Sequence, residues 1–318
     1  MGLGCRLTTR WSGPGHGGAK MESWPGRAAQ LAAVRRHRKF GGDGLHNYIC
    51  IMCGHQFAES REPPDHCPIC EDDRQFVNPK GQSWTTLDEL AREHHNVFRP
   101  LEQRLTGIGT EPRFAIGQRA LLVQAPRGNV LWDCVSLIDE GTIEAVKKLG
   151  GISSLAISHP HLVGSMIEWS HAFGGVPIHV HQDHRPWIQR PDPVIQFWEG
   201  EAWELSEGLT LHRCGGHFDG STVLLWPDRA DGRGVLLGGD TMYVAPDRKH
   251  VSFMYSYPNF IPLPASVVDR IVEVVMPLGF DRIYGHFFDL EIESDAKRVI
   301  ERSAERYKKA IGSVNQTG

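Results

Sequence analysis

The sequence has few of the features that mark membrane, secreted or nucleic-acid-binding proteins. None of its apolar runs approaches the ~18 to 20 residues needed to span a bilayer, and the chain does not start like a secretory signal. The formal net charge is only −4 over 318 residues, so composition gives no reason to expect nucleic acid or an anionic membrane as a partner. With 40% hydrophobic and 23% charged residues, the chain is expected to form one large globular domain and a small module.

Residues 1–44 differ in composition from the rest of the chain. They are rich in Gly, Lys and Arg and contain few acids, which predicts a flexible basic segment. We expect a cytoplasmic protein, and the basic start leaves a mitochondrial presequence open as the alternative.

The cysteines are few, and four of the seven occur in two tight pairs. In "YICIMCGHQFAESREPPDHCPIC" the pairs are Cys50/Cys53 and Cys67/Cys70, and each C-x-x-C turn presents two sulfurs on one side. This spacing predicts a four-thiolate metal site in a module over residues 45–80. The stretch resembles the rubredoxin-like module of rubrerythrins, and zinc ribbons share much of the pattern. Bound iron would make the module an electron carrier, whereas bound zinc would stabilise its structure. Sulfur ligands alone do not show which of the two metals is bound.

A mixed pattern of strands and helices follows the module. The stretch "WTTLDELAREHHNVFRPLEQRL" predicts a helix and linker over residues 81–113. From residue 114 to 318, short apolar strands recur, and "EGTIEAVKKLGG" and "SMIEWSHAFGG" predict helices closed by glycine. This alternation predicts an α+β layer architecture with sheets inside and helices outside.

Residues of the types that bind metals follow several of these apolar runs. Such positions converge when they lie at one edge of a sheet pair, and imidazoles with a carboxylate suit zinc, iron or manganese. The candidates are Asp133 after "VLW", His159 and His161 after "LAIS", His217 in "CGGHFDGS", Asp240 after "VLLGG" and His286 after "RIY".

The order of these turns resembles the metallo-β-lactamase fold superfamily from about Phe114 to beyond His286. That resemblance implies an αββα sandwich with metal ligands at His159, His161, His217, Asp240 and His286. The family's box reads H-x-H-x-D-H, but here Val163 and Gly164 stand at the places of its Asp and last His. The resemblance therefore implies one complete metal site, with Asp240 and His286 as the catalytic groups. Glu168 is a weaker candidate for replacing the ligand that is missing at Val163 and Gly164.

A complete box, "HVHQDH", occurs later, at residues 179–184. Here His179 and His181 alternate with Ile178 and Val180 inside a predicted strand, and Pro186 prevents the helix that the family box opens. We therefore interpret this motif as a coincidental match, while His181, Asp183 or His184 at the rim of the site remains an alternative.

The predicted function is a metal-dependent hydrolase acting on a small ester, thioester or amide, with one zinc in the large domain. Tyr243 and Tyr255 are candidates for its substrate pocket. One alternative is a non-haem iron redox enzyme fed by the rubredoxin-like module, as the resemblance to persulfide dioxygenases implies. A non-catalytic metal-binding protein is another, and a nuclease is less favoured because the large domain has no basic stripe.

Overall fold

The computed structural model describes residues 44–312 of the chain, so nearly all of the predicted basic segment lies outside the described residues. No helix in this part of the chain is long and apolar enough to cross a membrane. The helices are Pro68–Glu71 (α1), Leu87–Glu93 (α2), Glu140–Lys148 (α3), Met166–Ala172 (α4), Ala265–Val275 (α5) and Ala296–Ala310 (α6), with 3₁₀ turns at Pro160–Leu162 and Gln182–Trp187.

The strands form two large sheets and several small ones. The first ten are His46–Cys50 (β1), Gln56–Ser60 (β2), Trp84–Thr85 (β3), His95–Glu102 (β4), Leu105–Glu111 (β5), Arg119–Val123 (β6), Val130–Trp132 (β7), Ser154–Ile157 (β8), Ile178–His181 (β9) and Ile195–Trp198 (β10). The others are Ala202–Ser206 (β11), Leu209–Arg213 (β12), Thr222–Trp226 (β13), Val235–Leu237 (β14), Tyr243–Val244 (β15), Val251–Ser252 (β16), Met254–Ser256 (β17), Ile261–Pro262 (β18), Arg282–Tyr284 (β19) and Glu291–Ile292 (β20).

The two large sheets have the orders β10-β9-β8-β7-β6-β5-β4 and β11-β12-β13-β14-β19-β20. Strands β4 to β7 pair antiparallel, with "PRGN" in the turn between β6 and β7, whereas β7 to β10 pair parallel. Parallel neighbours need crossover connections, and α3 and α4 supply the two between β7 and β9. Both helices match the sequence prediction, and Gly150 and Gly174 follow them with positive φ.

Three buried apolar clusters divide the large domain into four layers. The middle cluster lies between the sheets and includes Leu121 and Trp132 from one sheet and Leu224 and Leu237 from the other. A second packs α3 and α4 against the outer face of the seven-stranded sheet. The third packs α5 and α6 against the outer face of the six-stranded sheet. Helices thus cover both faces of a sheet pair, which is the αββα sandwich expected from the sequence.

The four-cysteine module is a three-stranded sheet of order β2-β1-β3 with the short helix α1. Its buried interior consists largely of the four cysteines with Phe57 and Ile69. The strand β3 lies beyond residue 80, so this small sheet extends past the predicted end of the module.

The prediction of a helix and linker over residues 81–113 is wrong for the second half of this segment. Helix α2 begins after the N-cap Thr86, whose side chain forms a capping box with Glu89, and it ends at Glu93. The following residues form β4 and β5, two strands of the seven-stranded sheet. Neither strand was predicted: β4 is an edge strand with no fully buried residue, and β5 contains Gly107 and Gly109. Both glycines are needed, since a Cβ atom there would lie 2.7 or 2.5 Å from the ring of Phe288.

Candidate metal centre

Four of the predicted ligands lie in loops that leave the two sheets at one edge. His159 and His161 follow β8, and His217 lies in the turn between β12 and β13. Asp240 follows β14, three residues after the strand ends. The turns are tied together where the N–H of Thr222 donates to the carbonyl oxygen of Ser158 at 3.0 Å. Strand ends deliver these side chains to one place, as the sequence predicts.

The donor atoms of His159, His161, His217 and Asp240, called the histidine cluster below, all lie within 4.8 Å of one another. His159 Nε2 is 3.2 Å from Asp240 Oδ2, and His161 Nδ1 is 3.1 Å from His217 Nε2. A tetrahedral metal with nitrogen ligands at ~2.05 Å has ligand-to-ligand distances of about 3.3 Å. The cluster therefore fits one four-coordinate cation.

Hydrogen bonds outside the cluster orient two of its imidazoles. His217 Nδ1 donates to the carbonyl oxygen of Met254 at 3.2 Å, which leaves the lone pair on Nε2 facing the cluster. His159 Nδ1 is 2.9 Å from the hydroxyl of Ser158. Metal-binding histidines use their second nitrogen in this way, and such a bond fixes the tautomer and the ring orientation.

Burial sets the protonation states of the cluster. It lowers the pKa of all three imidazoles, to about 3 for His217, and so keeps them in the neutral form that binds metals. Burial alone would raise the pKa of Asp240, but the charge of His286 and hydrogen bonds from His159 and His286 hold it well below its usual range. Three neutral imidazoles and one carboxylate are thus available at neutral pH.

His286 lies beside the cluster and contacts it through Asp240. Its Nε2 is 3.0 Å from Asp240 Oδ1. Burial would lower the pKa of His286, but the charge of Asp240 and their hydrogen bond raise it. The loop that carries His286 is held by Arg119, a fully buried residue whose guanidinium donates twice to the carbonyl oxygen of Gly285 and also pairs with Glu291.

Asp133 supports the cluster without belonging to it. Its backbone has φ 60°, and its Oδ1 accepts a hydrogen bond from the N–H of Ser158 at 2.7 Å. Burial raises its pKa to about 7. Asp133 therefore fixes the loop that carries His159 and His161.

The two vacant box positions are used for packing. Val163 is buried in the apolar cluster between the seven-stranded sheet and the helices α3 and α4. Gly164 has φ +52°, and a Cβ atom there would lie 2.8 Å from the backbone carbon of Val135. A histidine at position 164 has neither the backbone conformation nor the space it needs. Glu168 does not fill the vacancy, because it pairs with Arg190 at 2.7 Å.

The complete motif at residues 179–184 does not assemble a metal site. Among the described residues, the groups of donor atoms that converge are the histidine cluster and the four cysteines. Asp183 pairs with Arg213 at 2.9 Å, and its N–H donates to His181 Nδ1. His184 is buried near Phe218, and no residue within 44–312 forms a hydrogen bond with either of its ring nitrogens.

The four cysteines converge in the same manner. Cys50 Sγ is 3.6 Å from Cys70 Sγ, and Cys53 Sγ is 3.7 Å from Cys67 Sγ. A tetrahedral metal with sulfur ligands at ~2.3 Å has ligand-to-ligand distances of about 3.8 Å. The side-chain amide of Gln82 donates to Cys50 Sγ at 3.0 Å. The cysteine cluster therefore also fits one metal ion.

Sequence reasoning missed several residues around the histidine cluster. Tyr257 donates its hydroxyl to the carbonyl oxygen of Asp240, and Arg74 donates to that of His217. The ring of Tyr243 lies 5.8 Å from that of His286, and Tyr255 packs against Arg74. The two tyrosines named from the sequence thus lie around the site, although no local pattern indicated Tyr257 or Arg74.

Comparison with known proteins finds similarity at two levels, sequence and fold. It is 47% identical over 268 residues to the uncharacterized protein YmaE of Bacillus subtilis (strain 168), covering 84% of this chain and 97% of that protein. No family model matches the chain.

Solved structures share the architecture at low sequence identity. The metallo-β-lactamase DIM-1 superposes with a TM-score of 0.52 at 12% identity, covering 68% of this chain and 98% of that one. The mono-zinc form of the metallo-β-lactamase FIM-1 from Pseudomonas aeruginosa gives a TM-score of 0.50 at 14% identity, covering 68% and 96%. These likenesses show the metallo-β-lactamase fold.

Proposed function

Because the chain belongs to the family of the Bacillus subtilis protein YmaE and has the metallo-β-lactamase fold, we propose that it is a metal-dependent hydrolase. Its substrate is a small ester, thioester or amide, and its histidine cluster holds one zinc ion. The observation that carries the proposal is the convergence of three imidazoles and one carboxylate within 4.8 Å. The vacant box positions support a single ion, because Val163 and Gly164 offer no ligand.

The cation and the protein have separate tasks in this proposal. A zinc ion supplies Lewis acidity, which polarises a carbonyl oxygen and lowers the pKa of water toward ~7. The protein keeps His159, His161 and His217 neutral through burial. Asp240 remains a carboxylate, and its Oδ1 lies 3.0 Å from Nε2 of His286. His286, whose pKa is raised, is the group we assign to proton transfer.

The experiment that tests this function compares hydrolysis by matched double variants. The zinc-loaded protein is assayed against a chromogenic ester, a thioester and an anilide. The variant His159→Ala/His217→Ala removes two cluster ligands, whereas His179→Ala/His212→Ala removes two histidines outside the cluster. We expect the wild-type protein and the second variant to hydrolyse at least one substrate, and the first variant to lose at least about 100-fold of kcat/KM. Equal activity in both double variants would contradict the proposal.

One observation favours a second candidate, a non-haem iron redox enzyme. The hydrogen bond from Gln82 to Cys50 Sγ is of the kind that tunes the potential of an iron bound by sulfur. In this candidate the cysteine cluster carries electrons to iron in the histidine cluster. Iron in both clusters of the purified protein, together with oxygen consumption on addition of a reductant, would favour it over hydrolysis.

A further inference from the structure

The four-cysteine module contacts the histidine cluster through two residues that directly follow its cysteine turns. Arg74 comes four residues after Cys70, and its Nη1 donates to the carbonyl oxygen of His217 at 3.3 Å. His55 comes two residues after Cys53, and its buried ring lies against the backbone of Pro160, the residue between the first two cluster histidines. A residue that follows each C-x-x-C turn therefore contacts a different turn of the histidine cluster.

Arg74 is held rigidly in this position. Its Nε and Nη2 donate to the two carboxylate oxygens of Asp72 at 2.6 and 2.9 Å. Its guanidinium carbon lies 3.8 Å from the ring centroid of Phe218, the residue after His217, and also contacts the ring of Trp187. These contacts use three of the five N–H donors of the guanidinium and hold it against the ring of Phe218. Through Nη1, Arg74 acts on the backbone that carries His217.

His55 makes the corresponding contact on the other turn. Its side chain is buried, with only 2% of its surface exposed. The preceding residue, Gly54, has φ +80°, and its carbonyl oxygen accepts a 2.6 Å hydrogen bond from Ser136. The turn that ends in Cys53 is therefore fastened to the large domain where His55 reaches Pro160.

We propose that the four-cysteine module positions the histidine cluster, with His55 and Arg74 as positioning residues, so that metal binding at the two clusters is coupled. A metal in the cysteine cluster fixes both C-x-x-C turns, and these turns hold the carbonyl of His217 and the Pro160 segment. The inference rests on the proposed function, because it requires a metal in the histidine cluster.

The coupling has a defined size and is reciprocal. Residues that orient metal ligands change metal affinity by ~10- to 100-fold when they are replaced. If occupancy of the cysteine cluster strengthens binding at the histidine cluster by some factor, occupancy of the histidine cluster strengthens binding at the cysteine cluster by the same factor. Truncating either positioning residue should weaken the histidine cluster while leaving the four sulfurs intact.

Cobalt titration of the full-length, metal-free protein tests this inference, because cobalt bound by thiolates absorbs strongly in the near ultraviolet and cobalt bound by nitrogen and oxygen does not. The two clusters are thereby followed separately. The variants are His55→Ala and Arg74→Gln, and the matched controls are His66→Ala and Arg127→Gln, whose side chains are exposed. Thermal unfolding of each protein is recorded alongside.

We expect both positioning variants to bind cobalt at the cysteine cluster as the wild-type protein does, and to bind it at least about 10-fold more weakly at the histidine cluster. We also expect the visible spectrum of the histidine-bound cobalt to shift. The controls should match the wild-type protein at both clusters.

Three results would overturn the inference. An unchanged affinity for cobalt at the histidine cluster in both positioning variants would contradict the inference without contradicting the proposed function. Weaker binding at both clusters with a lower melting temperature would mean general unfolding instead of positioning. A wild-type protein that binds no cobalt at the histidine cluster would remove the inference and the proposed function together.

Discussion

The backbone N–H of Gln56 donates to the carbonyl oxygen of Gly164 at 3.2 Å. Gln56 begins the second strand of the four-cysteine module, and Gly164 stands where the metallo-β-lactamase box has its last histidine. The position that serves a second metal in a complete box therefore attaches the module in this chain. The incomplete box and the four-cysteine module are thus in direct contact at Gly164.

Restoring the box at position 164 should damage the protein instead of creating a second metal site. In the Gly164→His variant the side chain must adopt φ +52° and push against the backbone of Val135. We expect a loss of about 2 to 4 kcal/mol in the free energy of unfolding, measured by denaturant titration. Gly174→His is the control, since Gly174 also has positive φ but no atom lies within 4 Å of its Cβ position. A stable Gly164→His protein with an additional bound metal would contradict this account.

Replacing His286 should separate metal binding from catalysis. His286 contacts Asp240 but lies outside the four converging donors, so the His286→Gln variant should keep its metal. Loss of a proton-transfer group typically lowers the rate by ~10²- to 10⁴-fold, and we expect kcat to fall in that range. Metal content and kcat are measured on the same preparation. A variant that loses its metal would make His286 a ligand, whereas an unchanged kcat would remove its assigned role.

Arg119 should contribute to stability and to the placement of His286. The Arg119→Met variant removes the guanidinium bonds to Gly285 and leaves Glu291, which is only 12% exposed, without its partner. Breaking a buried pair costs ~3 to 5 kcal/mol, which denaturant titration detects readily. The exposed Arg99, which pairs with Glu111, provides the control Arg99→Met, with an expected loss below about 1 kcal/mol. Equal losses in the two variants would show that Arg119 has no special role.

The motif at residues 179–184 should prove dispensable for metal binding. His179 lies on β9 and is not among the converging donors, and Asp183 is engaged by Arg213. We expect His179→Ala to retain the wild-type metal content and His159→Ala to lose one metal ion per chain. The opposite result would make the complete motif the true site.

The sequence alone could predict those features that depend on local order along the chain. Short apolar strands followed by His159, His217 and Asp240 predicted that these residues converge, and glycine-closed periodic segments predicted α3 and α4. Such signals are contained within a few neighbouring residues, so a single sequence is enough to detect them.

The features that escaped prediction depend on contacts between distant parts of the chain. Arg74 and His217 are 143 positions apart, and nothing in the composition around Arg74 indicates its contact. Strand β5 was not predicted, and its two glycines leave room for the ring of Phe288, which lies far away along the chain. Close packing of this kind becomes visible only in three dimensions.

Metal content measured by elemental analysis tests the central claim most directly, with the wild-type protein compared with His159→Ala/His217→Ala and Cys50→Ser/Cys53→Ser. The account predicts two metal ions per chain in the wild-type protein and one in each variant, with zinc in the histidine cluster. Three ions in the wild-type protein, or no loss from the His159/His217 variant, would contradict it.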